Sequence, residues 1–484
     1  MLDKIKRLGT ETAIYGVSTV VGRFLTFILT PIYTYLLPEP GDLGVVAVVY
    51  AYIAFLNVAY GYGMESAYFK YGSTLEIGAE KDNFSVPFFS LCLTSAFFSS
   101  LIIWQAEPLA RLVNIPGKYL STVYYAAAIL LLDTIAIIPF ARLRLQRKAT
   151  RFATIRLVSI VINVACNLLL LLHFNMGVEG IFIAGCISSA STVLMLLPTI
   201  LESFTPIFST PLYRALLRFG LPYVPAGLAT MMIQVIDRPI LESLTDSTTV
   251  GIYQANYRLG IFMMLIVSTF DFAWRPFFLS HATDPDAKPL FARILTYFFL
   301  LMMSVFLVLT LFLDDIIKLP ILFGSPLIKE TYWSGLPIVP VVLLAYVFLG
   351  ISNNMVAGIY IEKKTRTLPG ITFVGVVINV GANFLLIPRM GIMGAAIATL
   401  LSYSAMAVVL YFIVRRFYPV QYEFGRMAKI GLSVALVCVL YLLVEPPFAE
   451  PLWKGLLLLL FVVSMNVMRF FEPAEIRGMS RIFR

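Results

Sequence analysis

Charged residues are scarce in this chain. Lys, Arg, Asp and Glu make up 13% of its 484 residues, about half of the share in soluble proteins. In contrast, 60% of the residues are hydrophobic and the mean hydropathy is +0.88. This composition excludes an ordinary soluble globular protein and predicts a protein that crosses a membrane many times.

Residues that bind metals or act as nucleophiles are also rare. The chain has two His and four Cys, and Cys92, Cys166, Cys186 and Cys438 lie far apart in apolar segments without ligand spacing. The sequence contains no Gly-rich phosphate loop and no cluster of carboxylates in a long loop. We therefore expect no bound metal and no cofactor, and the pattern disfavours an enzyme.

Long apolar segments fill the sequence instead. A helix needs about 20 apolar residues to cross the hydrocarbon core, and about fourteen segments meet that length. The predicted spans are 10–36, 43–62, 84–104, 119–141, 152–173, 177–200, 218–239, 250–273, 289–313, 336–361, 367–388, 391–414, 427–444 and 452–470. The predicted fold class is an all-α polytopic membrane protein.

The basic residues predict how these spans are oriented. The net charge is +9, and alternate loops divide the Lys and Arg residues 27 to 7, with Arg23 and Arg258 left inside spans. Because cytoplasmic loops carry the excess of Lys and Arg, both termini are expected in the cytoplasm. The charge therefore indicates membrane orientation, and we expect no nucleic-acid partner.

A sequence repeat indicates internal duplication. Residues 141–170 and 357–386 align without a gap and share 11 identities in 30 pairs, including Asn163 and Asn167 with Asn379 and Asn383. Each copy is followed by Met-Gly-x-x-Gly, starting at Met176 and at Met390. Duplicated units of this kind are common in transporters.

The copies lie in the fifth and eleventh predicted spans, so they cross the membrane in the same direction and the repeat is parallel. A weaker match pairs 43–45 with 250–252, and thus the second span with the eighth. We predict two six-helix lobes, 1–205 and 206–418, related by a pseudo-two-fold axis along the membrane normal. Two additional transmembrane helices and a basic cytoplasmic tail occupy 419–484.

Several short segments, in their order and spacing, resemble the polysaccharide or O-antigen flippases of the multidrug/oligosaccharidyl-lipid/polysaccharide exporter superfamily. The segments are Leu37-Pro38-Glu39, Phe219-Gly220-Leu221-Pro222, Val250-Gly251-Ile252-Tyr253, Phe272-Ala273-Trp274-Arg275-Pro276-Phe277 and the run from Ile387 to Ala396. The resemblance extends over essentially the whole chain. Asp271 departs from it, because family members often have Asn in that segment.

The resemblance implies transport of an undecaprenyl-pyrophosphate-linked oligosaccharide from the inner to the outer leaflet of the bacterial inner membrane, by alternating access between two lobes. Expected partners are this lipid-linked cargo, membrane lipids, and the polymerase and glycosyltransferases of polysaccharide assembly. A lipid II flippase or a drug/cation antiporter of the same superfamily stays open as an alternative. A membrane glycosyltransferase or polymerase is disfavoured, because the loops are short and lack clustered carboxylates.

Charges inside the spans are the candidate site residues, since burying a charge at the centre of a span costs about 2.5 to 3.5 kcal/mol. Arg23 and Arg258 give each predicted lobe one cation, and a guanidinium can hold phosphate with two hydrogen bonds. Each arginine could instead make a structural ion pair. With Arg238, they are the predicted ligands of the pyrophosphate and sugar.

Two acidic residues complete the set. Asp133 lies inside the fourth span and Asp237 precedes Arg238 near the outer end of the seventh. Either could balance a basic charge or couple transport to a proton or sodium gradient, and the Asp237 and Arg238 pair could simply end its helix. The repeated Asn pairs lie on one helix face each, and we favour packing between helices over sugar binding for them.

Overall fold

The computed structural model describes residues 2–206, 208–320, 324–446 and 449–472. The first nine α-helices are α1 (Leu2–Leu36), α2 (Pro40–Gly61), α3 (Met64–Thr74), α4 (Glu80–Trp104), α5 (Ala106–Leu112), α6 (Ser121–Leu145), α7 (Ala149–Leu172), α8 (Gly177–Ser203) and α9 (Thr210–Gly220). In α1, we describe side chains only from residue 20 onward.

Twelve further α-helices follow. They are α10 (Val224–Val235), α11 (Asp237–Leu244), α12 (Ser247–Tyr257), α13 (Ile261–Ser280), α14 (Ala287–Leu311), α15 (Leu313–Lys318), α16 (Val339–Met355), α17 (Ala357–Ile361), α18 (Leu368–Met390), α19 (Ile392–Arg415), α20 (Phe424–Leu443) and α21 (Glu450–Val467). Short 3₁₀ segments lie at Gly117–Tyr119, Leu221–Tyr223, Arg258–Gly260, Glu330–Ile338 and Thr365–Thr367.

The helices confirm the predicted fold class. Among the described residues, 13 helical stretches are long and apolar enough to cross a membrane, and Val20–Leu36 of α1 is a further apolar stretch. These stretches correspond one by one to the predicted spans. The chain is therefore an all-helical, multi-pass membrane protein.

Two of the predicted spans that contribute to the site are broken, and proline explains the first break. The span predicted at 218–239 consists of α9, the 3₁₀ turn Leu221–Tyr223 and α10. Pro222 and Pro225 have no backbone N–H to donate, so a continuous α-helix is not maintained there. The span predicted at 250–273 is α12 and α13, joined by the 3₁₀ turn that contains Arg258.

The repeat is reproduced in backbone conformation. Arg147 and Lys363, which the alignment pairs, adopt left-handed φ angles of 55° and 54°. The next residue in each copy closes the same turn: the Lys148 N–H donates to the Leu143 carbonyl at 2.9 Å, and the Lys364 N–H donates to the Ile359 carbonyl at 2.9 Å. The two copies thus end one helix and start the next in the same way.

Packing divides the chain into two compact units. The first comprises Met1–Ile261, Ile328–Ile338 and Leu368–Ala405, and the second comprises Phe262–Leu327, Val339–Thr367 and Met406–Arg484. The predicted lobes rest on the repeat and these units rest on packing, so the boundaries at 205 and 418 stay a prediction. In the first unit, α2 packs against α6, α10 and α12. The candidate site lies in this unit.

A buried lysine anchors the last helix of the second unit. The side chain of Lys454 on α21 is fully buried, and its Nζ lies 2.6 Å from Asp315 Oδ2 and 2.7 Å from Glu450 Oε1. Asp315 belongs to α15, so the bond joins α21 to the end of the α14 and α15 segment. Two carboxylates compensate the charge that is removed from water.

Candidate functional site

A mid-span carboxylate is held by three helices of the first unit. Asp133 on α6 accepts a hydrogen bond from the Ser189 hydroxyl on α8 at 2.7 Å, and the Asn57 side chain on α2 also bonds it. Arg156 on α7 interacts with it electrostatically. A charge inside the membrane region is thus compensated by hydrogen bonds and a basic partner.

Arg156 is a member of this site that sequence reasoning missed. Its place near the inner end of a span led to its being counted with the cytoplasmic basic residues. In the structure it is the eighth residue of α7, and its guanidinium carbon lies 4.3 Å from the centre of the Phe140 ring. Its position well inside the first two turns of a predicted helix was the available signal.

The first copy of the Asn pattern extends the site to α1. The Tyr33 hydroxyl donates to Asn167 Oδ1 at 2.8 Å, and Asn167 Nδ2 donates to the Asn163 carbonyl at 2.8 Å and to Asn163 Oδ1 at 3.1 Å. This copy therefore connects α7 to α1, as expected for a residue that holds helices together.

The second copy forms only the bonds within its own helix. Asn383 Nδ2 donates to the Asn379 carbonyl at 2.8 Å and to Asn379 Oδ1 at 3.0 Å. The remaining polar atoms, Asn379 Nδ2 and Asn383 Oδ1, are buried without a partner among the described residues. The shared pattern thus supports a contact to a neighbouring helix in the first copy alone.

Arg258 lies close to Tyr33, which bonds the first copy of the Asn pattern, and to Tyr50. It is half-buried in the 3₁₀ turn between α12 and α13 and interacts electrostatically with Tyr33 on α1 and Tyr50 on α2. The Tyr50 ring stacks on Phe182, with centroids 5.1 Å apart. We call Tyr33, Tyr50, Asp133, Arg156 and Arg258 the central polar cluster. It brings two predicted site residues, Asp133 and Arg258, into one region.

Arg23 occupies a different depth. It is half-buried on α1, ten residues before Tyr33, and a rise of 1.5 Å per residue puts the two residues about 15 Å apart along the helix. Arg23 and Arg258 therefore provide basic groups at two levels.

The Asp237 and Arg238 pair is engaged within the protein. Arg238 Nη1 lies 2.6 Å from Asp237 Oδ1 and donates to the Gln234 carbonyl at 2.8 Å, while the Tyr253 hydroxyl donates to Asp237 Oδ2 at 2.6 Å. Arg238 Nε also donates to Gln254 Oε1. The side chains of Arg238 and Asp237 are 8% and 2% exposed. This geometry favours the structural interpretation, in which the pair joins α10, α11 and α12. Its role in substrate binding stays a prediction.

Two glycines bring α2 and α12 into backbone contact. A Cβ at Gly44 would lie 1.8 Å from the Ser247 carbonyl oxygen, and a Cβ at Gly251 would lie 1.8 Å from the Pro40 carbonyl oxygen. The contact is reciprocal. Gly44 and Gly251 are 207 positions apart, as in the weaker repeat match, and so are their partners Pro40 and Ser247. A two-fold axis produces this kind of reciprocity, and the contact between α2 and α12 agrees with the predicted axis that relates the repeats.

A second glycine contact lies at the other end of α2. Gly63 has a φ of 75°, and a Cβ there would lie 2.1 Å from the Gly220 carbonyl oxygen. Gly63 is 19 residues after Gly44, which is about 28 Å along a helix. The Gly44–Gly251 contact and the Gly63–Gly220 contact thus lie at opposite ends of α2. The orientation of the spans predicts the outer surface for the first and the cytoplasmic surface for the second.

Comparison with known proteins gives a family and a fold. Residues 34–326 match the family model described as polysaccharide biosynthesis protein. No curated protein matches the sequence. Solved structures, however, are similar over most of the chain.

One similar structure is the lipid II flippase MurJ in an inward closed conformation, with 16% identity, coverage of 94% of this chain and 98% of that chain, and a TM-score of 0.72. Another is an inward-facing multidrug resistance MATE family transporter of the MOP superfamily, with 14% identity, 82% and 97% coverage and a TM-score of 0.64. A mutant of the Vibrio cholerae MATE transporter VcmN has 14% identity, 84% and 96% coverage and a TM-score of 0.61.

These similarities establish the fold of MOP superfamily transporters and flippases for this chain. The family model matches more than half of the residues. The chain belongs to the polysaccharide biosynthesis protein family.

Proposed function

We propose that this protein is a flippase. It moves an undecaprenyl-pyrophosphate-linked oligosaccharide from the cytoplasmic to the outer leaflet of a bacterial inner membrane, for assembly of O-antigen, capsule or exopolysaccharide. Family membership supports a sugar-bearing cargo, and the fold shared with a lipid II flippase supports a lipid-linked one. Glycosyltransferases would supply the cargo and a polymerase would consume it, because flipping itself forms no bond.

The placement of Arg258 beside Tyr33 and Tyr50 is the observation that carries the proposal. A guanidinium binds phosphate oxygens through paired charge-assisted hydrogen bonds. Tyrosine adds a hydroxyl and an apolar ring face to the same region, which suits a sugar attached to that phosphate. Arg23, about 15 Å along α1, would bind the pyrophosphate at a second depth on its path.

Asp133 and Asp237 have different proposed roles. Asp133 balances the basic charge of Arg156 and Arg258. An anionic cargo is then attracted to the cluster but bound weakly enough to be released. Asp237 balances Arg238 within the protein. Transport would be coupled to a proton or sodium gradient.

The two glycine contacts support alternating access. The Gly44–Gly251 contact and the Gly63–Gly220 contact would open in turn, so that the head group of the cargo reaches the central polar cluster from one side and leaves on the other. Each contact is between backbones, where a small separation of helices removes the whole contact.

Deletion of the gene, followed by complementation, tests the proposal. We expect deletion to abolish surface polysaccharide and to accumulate lipid-linked oligosaccharide that external reagents do not reach. Arg258→Ala should fail to restore export, because the loss of charged hydrogen bonds worth about 1.5 to 3 kcal/mol corresponds to roughly a 10- to 100-fold loss. Arg258→Lys, which keeps the charge but not the fork, should restore it partly.

Arg389→Ala is the matched control, because Arg389 is an exposed arginine on α18. Equal abundance of all variants in the membrane must accompany the comparison. Unchanged surface polysaccharide after deletion would contradict the proposal. Altered peptidoglycan synthesis or drug sensitivity in the same strain would show that the cargo is lipid II or a drug.

A further inference from the structure

A buried carboxylate outside the central polar cluster lies next to the Gly44–Gly251 contact. Glu242 on α11 is 8% exposed, and its Oε1 accepts a hydrogen bond from the Ser247 hydroxyl at 2.7 Å. Its other oxygen, Oε2, is buried and has no partner among the described residues. Leaving a carboxylate oxygen without a partner is costly when the group is ionised.

Ser247 connects this carboxylate to the glycines. It is the first residue of α12, and its carbonyl oxygen is the atom that a Cβ at Gly44 would meet at 1.8 Å. Tyr52, on the same helix as Gly44, also interacts electrostatically with Glu242. Glu242 therefore forms a hydrogen bond with a residue of the contact, and it faces α2.

Few other charges influence Glu242. Asp246 lies in the turn before α12, α10 has no titratable residue, and Arg389, the only charged residue of α18, is exposed. On its own helix, Asp237 and Arg238 bond each other. Burial raises the pKa of Glu242 and the charge of Asp246 raises it further, whereas the Ser247 hydrogen bond opposes them.

We propose that Glu242 is a proton-binding site whose protonation favours closure of the Gly44–Gly251 contact. The proposal rests on the proposed function, since closure of this contact is a step of the proposed transport cycle. With the contact closed, ionised Glu242 keeps Oε2 away from water, and separation of α2 from α12 would let water reach it. The ionised form therefore favours the open contact and the protonated form the closed one.

The direction of the pH effect follows. Because the pKa of Glu242 is higher with the contact closed than open, closure is fully favoured below the open-form pKa and is lost as the pH rises through the closed-form pKa. If the outer medium is the more acidic, a proton enters from outside after the cargo has left and returns the protein to the outward-closed form. The proton returns to the outer medium when the contact next opens, so an acidic outer medium speeds this return step without a net movement of protons across the membrane.

Disulfide formation across the contact measures closure. A Cβ at Gly41 would lie 3.3 Å from Thr248 Oγ1, close to where a cysteine sulfur would lie, so Gly41→Cys with Thr248→Cys should cross-link in the closed form. The rate is compared at each pH with that of the same chain carrying Glu242→Gln. The ratio cancels the pH dependence of the thiol chemistry.

We expect the cross-linking rate of the chain that retains Glu242, divided by the rate of the chain carrying Glu242→Gln, to fall as the pH rises. The fall should be about tenfold for each unit of difference between the closed-form and open-form pKa values. A ratio that is constant from acid to alkaline pH would overturn the proposal. Glu242→Gln keeps the volume and the acceptor for Ser247. Glu107→Gln, at an exposed position of α5, is the control that should keep the pH response.

A transport measurement separates the two proposals. In proteoliposomes, Glu242→Gln should flip cargo down its concentration gradient but lose the acceleration by an acidic outer medium. Acceleration equal to that of the unmodified chain would overturn the role of Glu242. Absence of flipping by the unmodified chain would instead refute the proposed function, while the cross-linking ratio would still report the proton site.

Discussion

Alanine at Gly44 or Gly251 should impair transport by opening the contact between α2 and α12. A methyl group at either position would lie 1.8 Å from a backbone oxygen, whereas carbon and oxygen approach to about 3.3 Å. The helices must therefore separate by about 1.5 Å. Since the opposing atoms are backbone, no side chain can rotate to relieve the clash.

The expected magnitude follows from the cost of overpacking. Forcing one methyl group into a packed interface costs about 1 to 3 kcal/mol, which changes the ratio of closed to open forms roughly 10- to 100-fold. We expect Gly44→Ala and Gly251→Ala each to lower the flipping rate in proteoliposomes by that factor. The cross-linking of Gly41→Cys with Thr248→Cys should fall in parallel.

Gly381→Ala on α18 is the control. A Cβ there meets no atom within 4 Å, so it tests the effect of replacing a helical glycine without the clash. If the Gly44 and Gly251 variants flipped cargo and cross-linked as fast as this control, the contact would not take part in transport.

Two further predictions concern charges, and a third concerns membrane orientation. Asp133→Asn should raise the apparent affinity for the anionic cargo and lower the maximal flipping rate, because Arg156 and Arg258 lose a balancing charge; a lowered affinity in the concentration dependence would contradict this role. Lys454→Met should destabilise the protein by about 1.5 to 3 kcal/mol, measured as a lower thermal midpoint in detergent, since two carboxylates lose their common partner. Lys81→Met, at an exposed lysine, should have little effect. Cysteines placed at the exposed positions Lys363 and Lys318 should react with an impermeant maleimide from opposite sides of the membrane, and labelling from one side would refute the predicted orientation.

The sequence predicted the spans and the duplication because both depend on patterns along the chain. The pairing of Leu43-Gly44-Val45 with Val250-Gly251-Ile252 matched the second span with the eighth and made Gly44 equivalent to Gly251. The sequence does not show that Gly44 and Gly251 are in contact, because equivalence under a repeat does not specify the distance from the axis. The breaks around Leu221–Tyr223 and Arg258–Gly260 likewise depend on packing as well as on proline.

The candidate site was only partly predictable. Asp133 and Arg258 were recognised as charges inside apolar segments, but their neighbours Tyr33 and Tyr50 are two of 25 tyrosines, and nothing in the sequence distinguishes them. Arg156, the fifth residue of the span predicted at 152–173, was counted with the cytoplasmic basic residues because hydropathy alone does not fix where a span begins. Glu242 lies in a short helix between spans, so its burial could be known only from the packing of α2, α11 and α12.

Flipping by a protein that can be locked tests the central claim most directly. The chain carrying Gly41→Cys and Thr248→Cys is reconstituted with a fluorescent undecaprenyl-pyrophosphate-linked oligosaccharide, and the cargo that becomes accessible to an external lectin is followed over time. We predict flipping by the reduced protein, its loss on oxidation and its recovery on reduction, with single-cysteine chains unaffected. Equal flipping by the fully cross-linked protein, or none by the reduced protein, would contradict the account.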